Sequence, residues 1–526
     1  MAVSAGFAEV IAQGYATSGP AIELGRGVHD GELAHDALVQ VPLAMMNRHG
    51  LIAGATGTGK TRTLQGLAEQ LSAAGVPVVV ADIKGDLSGL AAPGATDGPA
   101  AKRAADLGET FTPAAFPVEF LALGGIGPGV PVRATVTDFG PQLLAKVFGS
   151  NETQEQTLSL VFRYADERKL ALLDLADLRA VLAFLESDEG KADLAGIGGV
   201  SPATIGVLLR ALAVLEDGGG NEFFGEPQLD IADLMRTAPD GRGVISSLEL
   251  AAVQDKPQLF STVLMWLVAE LFEQLPEVGD LDKPKMVVFF DEAHLLFDDA
   301  TDAFLQSVTQ TVRLIRSKGV GVFFVTQSPT DVPADVLGQL GNRIQHALRA
   351  FTPDDAKALK ATISTYPRTD LYDLEQTLTQ LAIGEAVVTI LSDSGVPTPV
   401  VHTRLRAPQS QMTPIPDMDG AAKASPLFAK YGTRVDAQSA REILAGRMAA
   451  SSAAAAATPT AAAAQPAKPK AKAKPKQPKA PAPKTGQAAA AGGALGTLTD
   501  LLGSSQGKAI QKEVARGVFG MLKKRL

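Results

Sequence analysis

Short apolar runs, each followed at once by glycine or polar residues, punctuate the chain between Gly50 and Thr326. Gly50–Ala53, 76–81, Met286–Phe290 and Val320–Thr326 are apolar at nearly every position and rich in β-branched or aromatic side chains. That pattern predicts strands buried on both faces, as in a parallel sheet. Val118–Leu123 and 132–136 read as further strands. Longer stretches at 154–167, 178–186, 205–215 and 258–275 carry helical periodicity. Strands alternating with helices predict an α/β fold. Roughly 200 residues separate the second and third main strands, more than one crossover helix needs. We therefore expect a mainly helical insertion at about 140–280.

The same reading divides the chain. Residues 1–46 form a leader or small N-terminal β segment, with a glycine-rich turn expected at Gly25-Arg26-Gly27. The core is expected over 47–406 and an extension over 407–449. Residues 450–493 are rich in Ala, Pro and Lys and cannot bury enough apolar surface to offset their chain entropy, which predicts disorder. In 494–526, Ile510, Val514, Val518 and Leu522 recur every four residues opposite Lys508, Lys512 and Arg516, which predicts a tethered amphipathic helix.

Charge sharpens this division. The chain carries a net −9, yet residues 450–526 hold 13 Lys and Arg against 2 Asp and Glu. The rest is strongly acidic and presents no broad phosphate-binding face. The absence of cysteine excludes disulfides and thiolate chemistry. No secretory signal and no apolar run of about 18 residues is found, so no membrane span is expected and a cytoplasmic location is the default.

The strongest chemical signal is Gly54-Ala55-Thr56-Gly57-Thr58-Gly59-Lys60-Thr61, which fits G-x-x-x-x-G-K-[ST] at every fixed position. It follows a predicted strand and precedes a helical pattern. Its glycines let backbone N–H groups wrap the phosphates of ATP, at the positive end of the next helix. Lys60 would reach the β- and γ-phosphates and the Thr61 hydroxyl would hold Mg2+. Arg62, directly after, is counted with the nucleotide-binding run. The run Met286–Phe290 delivers Asp291 and Glu292 at its end: Asp291 for the metal and Glu292 as general base for the attacking water. Gln327, after Val320–Thr326, is a candidate sensor of the γ-phosphate. Asp82 is a comparable strand-end candidate, with Lys84 and Asp86 close behind. Arg313 and Arg316 are candidates for stabilising transition-state charge, set against the plainer reading of solvated helix-end arginines. His49 and His294 lack metal-ligand spacing.

These motifs predict a RecA-like P-loop NTPase core with a parallel central sheet. One phosphate loop argues against superfamily-two helicases, which carry two such cores, and no Leu-Ser-Gly-Gly-Gln-like signature supports an ABC ATPase. The chain resembles the HerA–FtsK branch of P-loop ATPases, specifically bacterial HerA-like proteins of YjgR type. The segments that carry the resemblance begin with Asn47-Arg48-His49-Gly50 leading into the loop and Asp82-Ile83-Lys84-Gly85-Asp86. They continue with Asn151-Glu152-Thr153-Gln154-Glu155, Asp291-Glu292-Ala293-His294 and Ile315-Arg316-Ser317-Lys318-Gly319. Thr326-Gln327-Ser328-Pro329, Gly341-Asn342-Arg343-Ile344 and Leu348-Arg349-Ala350-Phe351 complete the series.

The resemblance implies a hexameric ring with ATP sites between subunits, Glu292 as catalytic glutamate, Gln327 as sensor and Arg316 as an arginine finger acting in trans. It also implies that Asp82 lies near the nucleotide. The expected function is a ring ATPase that translocates or unwinds DNA. The alternative is a regulatory or assembly ATPase acting on a protein partner, engaged through the C-terminal tail. A nucleotide kinase is a third reading, without an identifiable acceptor pocket.

Overall fold

Side chains of a strand alternate between faces, so a run that is apolar throughout needs cover on both. The computed structural model describes residues 2–194, 198–297 and 302–457, and in it these runs are strands. In chain order the strands are β1 Ala21–His29, β2 Glu32–Pro42, β3 Gly50–Ala53, β4 Val78–Asp82, β5 Val118–Leu123 and β6 Val130–Val132. They continue as β7 Ile245–Glu249, β8 Met286–Phe290, β9 Val320–Thr326, β10 Asn342–Gln345, β11 Glu385–Thr389 and β12 Val401–Leu405.

They form one sheet in the order β2-β1-β12-β11-β10-β3-β9-β8-β4-β7-β5-β6. From β10 to β6 every neighbouring pair is parallel, while β10 to β2 is antiparallel. The period-2 rule shows in the packing. Ile52, Val80, Phe289, Phe323 and Val325 share one face with Leu64, Leu67 and Leu71 of the helix Lys60–Ala73. Leu51, Ala81, Val288, Phe290 and Phe324 share the other with Trp266 and Leu267 of the helix Pro257–Gln274.

The predicted helices are present as Glu152–Glu167, Leu175–Glu186, Pro202–Leu215 and Pro257–Gln274. All four begin earlier than their apolar periodicity, and in the first two a polar residue caps the start: Asn151 Oδ1 accepts from the Gln154 N–H at 3.0 Å and Asp174 Oδ1 from the Asp177 N–H at 3.0 Å.

Several expectations are corrected. Gly25-Arg26-Gly27 is not a turn; it lies inside β1, where a Cβ on Gly25 would come 2.0 Å from the Arg404 carbonyl oxygen of β12. Close backbone approach explains the glycine. The expected strand 132–136 ends at Val132, and Val136 opens the helix Val136–Val147, because the Thr135 hydroxyl caps it by accepting from the Asp138 N–H at 3.2 Å. The strand expected at 76–81 is Val78–Asp82, since Pro77 has no N–H to donate to a ladder.

The stretch expected to be a helical insertion also supplies β7, which pairs with β4 and β5 inside the sheet. Its buried Ser246 and Ser247 interrupt the apolar run and hide it from the sequence pattern. The helix Ala440–Ala457 continues into the region expected to be disordered, in keeping with the high helix propensity of its alanines. The rest of that region and the amphipathic helix expected at 494–526 lie outside the described residues. Among the described residues no helix is long and apolar enough to cross a membrane.

At the N-terminal edge of the sheet, His49 locks three strands together. Its Nδ1 accepts from the Val322 N–H at 3.0 Å, and its carbonyl oxygen accepts from the Asn342 side chain at 3.0 Å. Burial pushes the imidazole down to about 4. The unfolded chain, with an ordinary histidine pKa near 6.5, therefore takes up this proton first as pH falls. The contribution of His49 is complete above about pH 6.5 and is lost on the way to pH 4. In denaturation measurements, the stability gap between wild type and His49→Gln should narrow by about 3 kcal/mol from pH 7 to pH 4. A gap independent of pH would contradict this assignment.

Candidate nucleotide-binding site

Parallel neighbours end at the same sheet edge. Ala53 is in register with Thr326 and with Gln345, Phe290 with Phe324 and with Ala81, and Asp82 with Glu249. The residues that follow these strand ends meet there, and they include most of the chemistry read from the sequence.

On β3 the buried run gives way to the loop Gly54–Thr61. Gly59 takes φ +113° and sits at the N-terminal cap of the helix Lys60–Ala73. Thr56 and Gly57 form the exposed crest, and the Thr58 hydroxyl donates to the Ala55 carbonyl at 2.7 Å. Lys60 is buried, with Nζ donating to the carbonyl oxygens of Gly54 at 2.7 Å and Ala55 at 3.2 Å. Burial lowers the pKa of this ammonium, against the pull of Glu292. Thr61 and Arg62 follow on the first turn. Arg62 Nη1 donates to Gln65 Oε1 at 2.8 Å, with Asp86 and Asp82 as its nearest opposing charges.

On β8 the run ends in two acids. Asp291 is 1% exposed, and its Oδ2 is buried without a hydrogen-bond partner. Burial, Glu292 and Asp82 push it up to about 7, despite Lys84. Glu292 sits at φ +46°, a left-handed conformation that costs a non-glycine residue about 1 kcal/mol or more. Its Oε1 is ion-paired with the Lys84 ammonium. Its Oε2 lies 3.5 Å from the donating Gln327 amide and 3.2 Å from His294 Nδ1. Burial raises the Glu292 pKa, but Lys84, Gln327 and His294 together outweigh it and hold the group below its ordinary value.

Asp82, at the end of β4, is fully buried and folds the next turn around itself. Its Oδ1 accepts from the N–H groups of Lys84 at 3.1 Å and Gly85 at 2.7 Å, and its Oδ2 from Leu87 at 3.0 Å. The turn carries Lys84 to Glu292 and Asp86 toward Asp291. Burial and the charge of Asp82 push Glu249, at the end of β7, up to about 8.

Lys60, Asp82, Asp291, Glu292 and Gln327 thus share one edge, with Thr61 and Arg62 on the adjoining helical turn. Arg316 does not join them. It precedes β9, 3.8 Å from Asp280, whereas Gln327 follows β9. Seven residues of strand separate the two edges by roughly 20 Å. Arg313 lies in the preceding helix, Asp302–Ile315.

Two participants were missed. His346, just after β10, lies behind the loop with Nε2 2.9 Å from Thr63 Oγ1, and burial together with Lys60 pushes it down to about 4. Glu249 ends the strand that the sequence pattern concealed. Neither carries a spacing signal; only the pairing of β10 with β3 and of β7 with β4 brings them in.

A family model described as "Helicase HerA-like C-terminal" matches residues 29–525. The chain belongs to that HerA-like family. The HerA-like chain is 27% identical over 164 residues to "Probable helicase MJECL08" of Methanocaldococcus jannaschii, and the match spans 30% of each protein. A structure of the plasmid coupling protein TrwB in complex with ADP and Mg2+ is 16% identical, covering 76% of this chain and 98% of that one at a TM-score of 0.49. VirB4 of Thermoanaerobacter pseudethanolicus is 15% identical, covering 74% and 97% at a TM-score of 0.48.

The loop's seat is tested by one methyl group. A Cβ on Gly54, at φ +153°, would come 2.5 Å from His346 Cβ. Gly54→Ala should destabilise the HerA-like chain by about 1–3 kcal/mol and weaken nucleotide binding. Gly66→Ala, in the helix behind the loop with nothing within 4 Å of its Cβ, should stabilise by up to about 1 kcal/mol. Thermal denaturation of both variants checks the pair; Gly54→Ala melting like wild type would contradict the packing.

Proposed function

We propose that the chain hydrolyses ATP and works as a ring-forming motor on DNA. The observation that carries the hydrolytic reading is the placement of a phosphate-loop lysine and a strand-end glutamate at one edge, close enough that Glu292 opposes the burial of Lys60. The loop N–H groups and Lys60 would hold the triphosphate, and Gln327 would contact the γ-phosphate. Asp291 and the Thr61 hydroxyl suit Mg2+, since Asp291 Oδ2 is a buried carboxylate oxygen without a partner. When bound, that ion would neutralise charge on the triphosphate. Glu292 takes a proton from the water whose oxygen bonds to the γ-phosphorus as the bond to the β-phosphate oxygen breaks, releasing ADP and phosphate. For that water to reach Oε1, the Lys84 ammonium has to move aside.

Arg316 supports assembly. It stands at the far edge of its own sheet, so any contact with a triphosphate would be with that of a neighbouring subunit, in a homo-oligomer of hexameric kind. The acidic character of the chain before residue 450 favours a second reading, an ATPase that acts on a protein partner. A cytoplasmic location fits a chain without cysteine.

Turnover measured with and without duplex DNA separates the two readings. The motor predicts faster hydrolysis with DNA and a stimulation that falls steeply with salt; turnover indifferent to DNA at low salt would overturn it. Glu292→Gln should keep ATP binding and slow hydrolysis about 10²-fold or more, whereas Lys60→Ala should lose binding. Loss of binding in both would make Glu292 a structural residue.

Arg316→Ala and Glu292→Gln should each be inactive alone. Mixed together they should recover activity at interfaces that pair an intact Arg316 with an intact Glu292. Mixtures no more active than either variant would rule out the trans arrangement.

A further inference from the structure

Asp82 spends its carboxylate on three backbone N–H groups, and the turn it closes lays Asp86 over the end of β8, beside Asp291. One oxygen from each of Asp82, Asp86 and Asp291 lies within 4.8 Å of the others. Asp291 Oδ2 and Asp86 Oδ1 are both buried, and neither has a hydrogen-bond partner. A buried carboxylate oxygen left unpaired costs on the order of 1–3 kcal/mol or more, so two in one place call for a counter-charge.

The protein's own cations nearby, Arg62, Lys84 and Lys60, act on the cluster only through space, because their hydrogen bonds go elsewhere. Lys84 is paired with Glu292, Arg62 donates to Gln65, and Lys60 donates to the Gly54 and Ala55 carbonyls. Among the hydrogen bonds of the described residues, none of the three side chains donates to an aspartate of the cluster.

We propose that Asp82, Asp86 and Asp291 form a divalent-cation site that fills before any nucleotide binds. Three carboxylates, with no imidazole or thiolate among the donors, select a hard ion of the Mg2+, Mn2+ or Ca2+ class. The donor set shares Asp291 with the nucleotide-borne metal of the proposed function, but that metal would add phosphate oxygens and the Thr61 hydroxyl where this site uses Asp82 and Asp86. Here Asp82 and Asp86 replace the phosphates as the source of negative charge. The ion fixes the 82–87 turn from its open side, so it holds in place the loop that carries Lys84 to Glu292. The site does not depend on hydrolysis, and it stands or falls separately from the ATPase reading.

The test is Mn2+ titration of the metal-stripped full-length protein without nucleotide, read by electron paramagnetic resonance of the free ion. Wild type should take up one Mn2+ per chain, displaced by excess Mg2+. Asp86→Asn should weaken uptake at least tenfold, while Asp354→Asn, an exposed helix-end carboxylate, should bind as wild type does. Melting temperature gives a second reading: Mn2+ should raise it in wild type and in Asp354→Asn but not in Asp86→Asn. No uptake without nucleotide, or equal uptake by wild type and Asp86→Asn, would overturn the site.

Discussion

The structure depends on the parallel pairing of β3, β9, β8 and β4, four adjacent strands of four to seven residues that are buried along their whole length. Buried on both faces, they have no room for polar side chains within them except at their ends. Parallel register then puts all those ends at one edge. The Gly54–Thr61 loop, the acids of β8, the glutamine after β9 and the Asp82 turn are brought together by that constraint, although they are spread from Gly54 to Gln327 along the chain. An antiparallel arrangement of the same strands would send half of these groups to the opposite side.

Crowding acidic groups at a dry edge has an electrostatic cost, and the local structure is arranged around it. Asp82 is satisfied by backbone N–H groups, Glu292 by the Lys84 ammonium, and Glu249 is pushed far enough up to stay protonated near neutral pH. Asp291, one of the groups proposed for phosphate chemistry, is left with a buried, unpaired oxygen, as expected where charge must be available and not neutralised in advance. The left-handed backbone at Glu292 belongs to the same pattern.

Much of this was legible in the chain, for identifiable reasons. β3, β8 and β9 were read at their observed bounds because each is an apolar run closed by a polar residue or glycine. β5 was read despite its Glu119 because Phe120–Leu123 and the following Gly124 carry the same pattern. The phosphate loop was legible because its glycines and lysine are fixed by geometry and not by context. β7 was not, because Ser246 and Ser247 are buried polar residues that only sheet pairing makes acceptable. Gly25 misled because a glycine needed for close strand approach looks the same, in sequence, as one needed for a turn. The partnership of Lys84 with Glu292 lay beyond reach for another reason: two segments 208 residues apart meet only through the β4–β8 pairing. The exclusion of Arg316 from its own site likewise needed the strand direction, which no local pattern carries.

The most direct test of the shared edge is a crystal structure of the full chain with a non-hydrolysable ATP analogue and Mg2+. The account predicts the triphosphate cradled by the N–H groups of Gly54–Thr61, with Lys60 on its terminal phosphates and the Glu292 carboxylate within one water of the γ-phosphorus. Density for the nucleotide elsewhere, or a γ-phosphate turned away from Glu292, would contradict it.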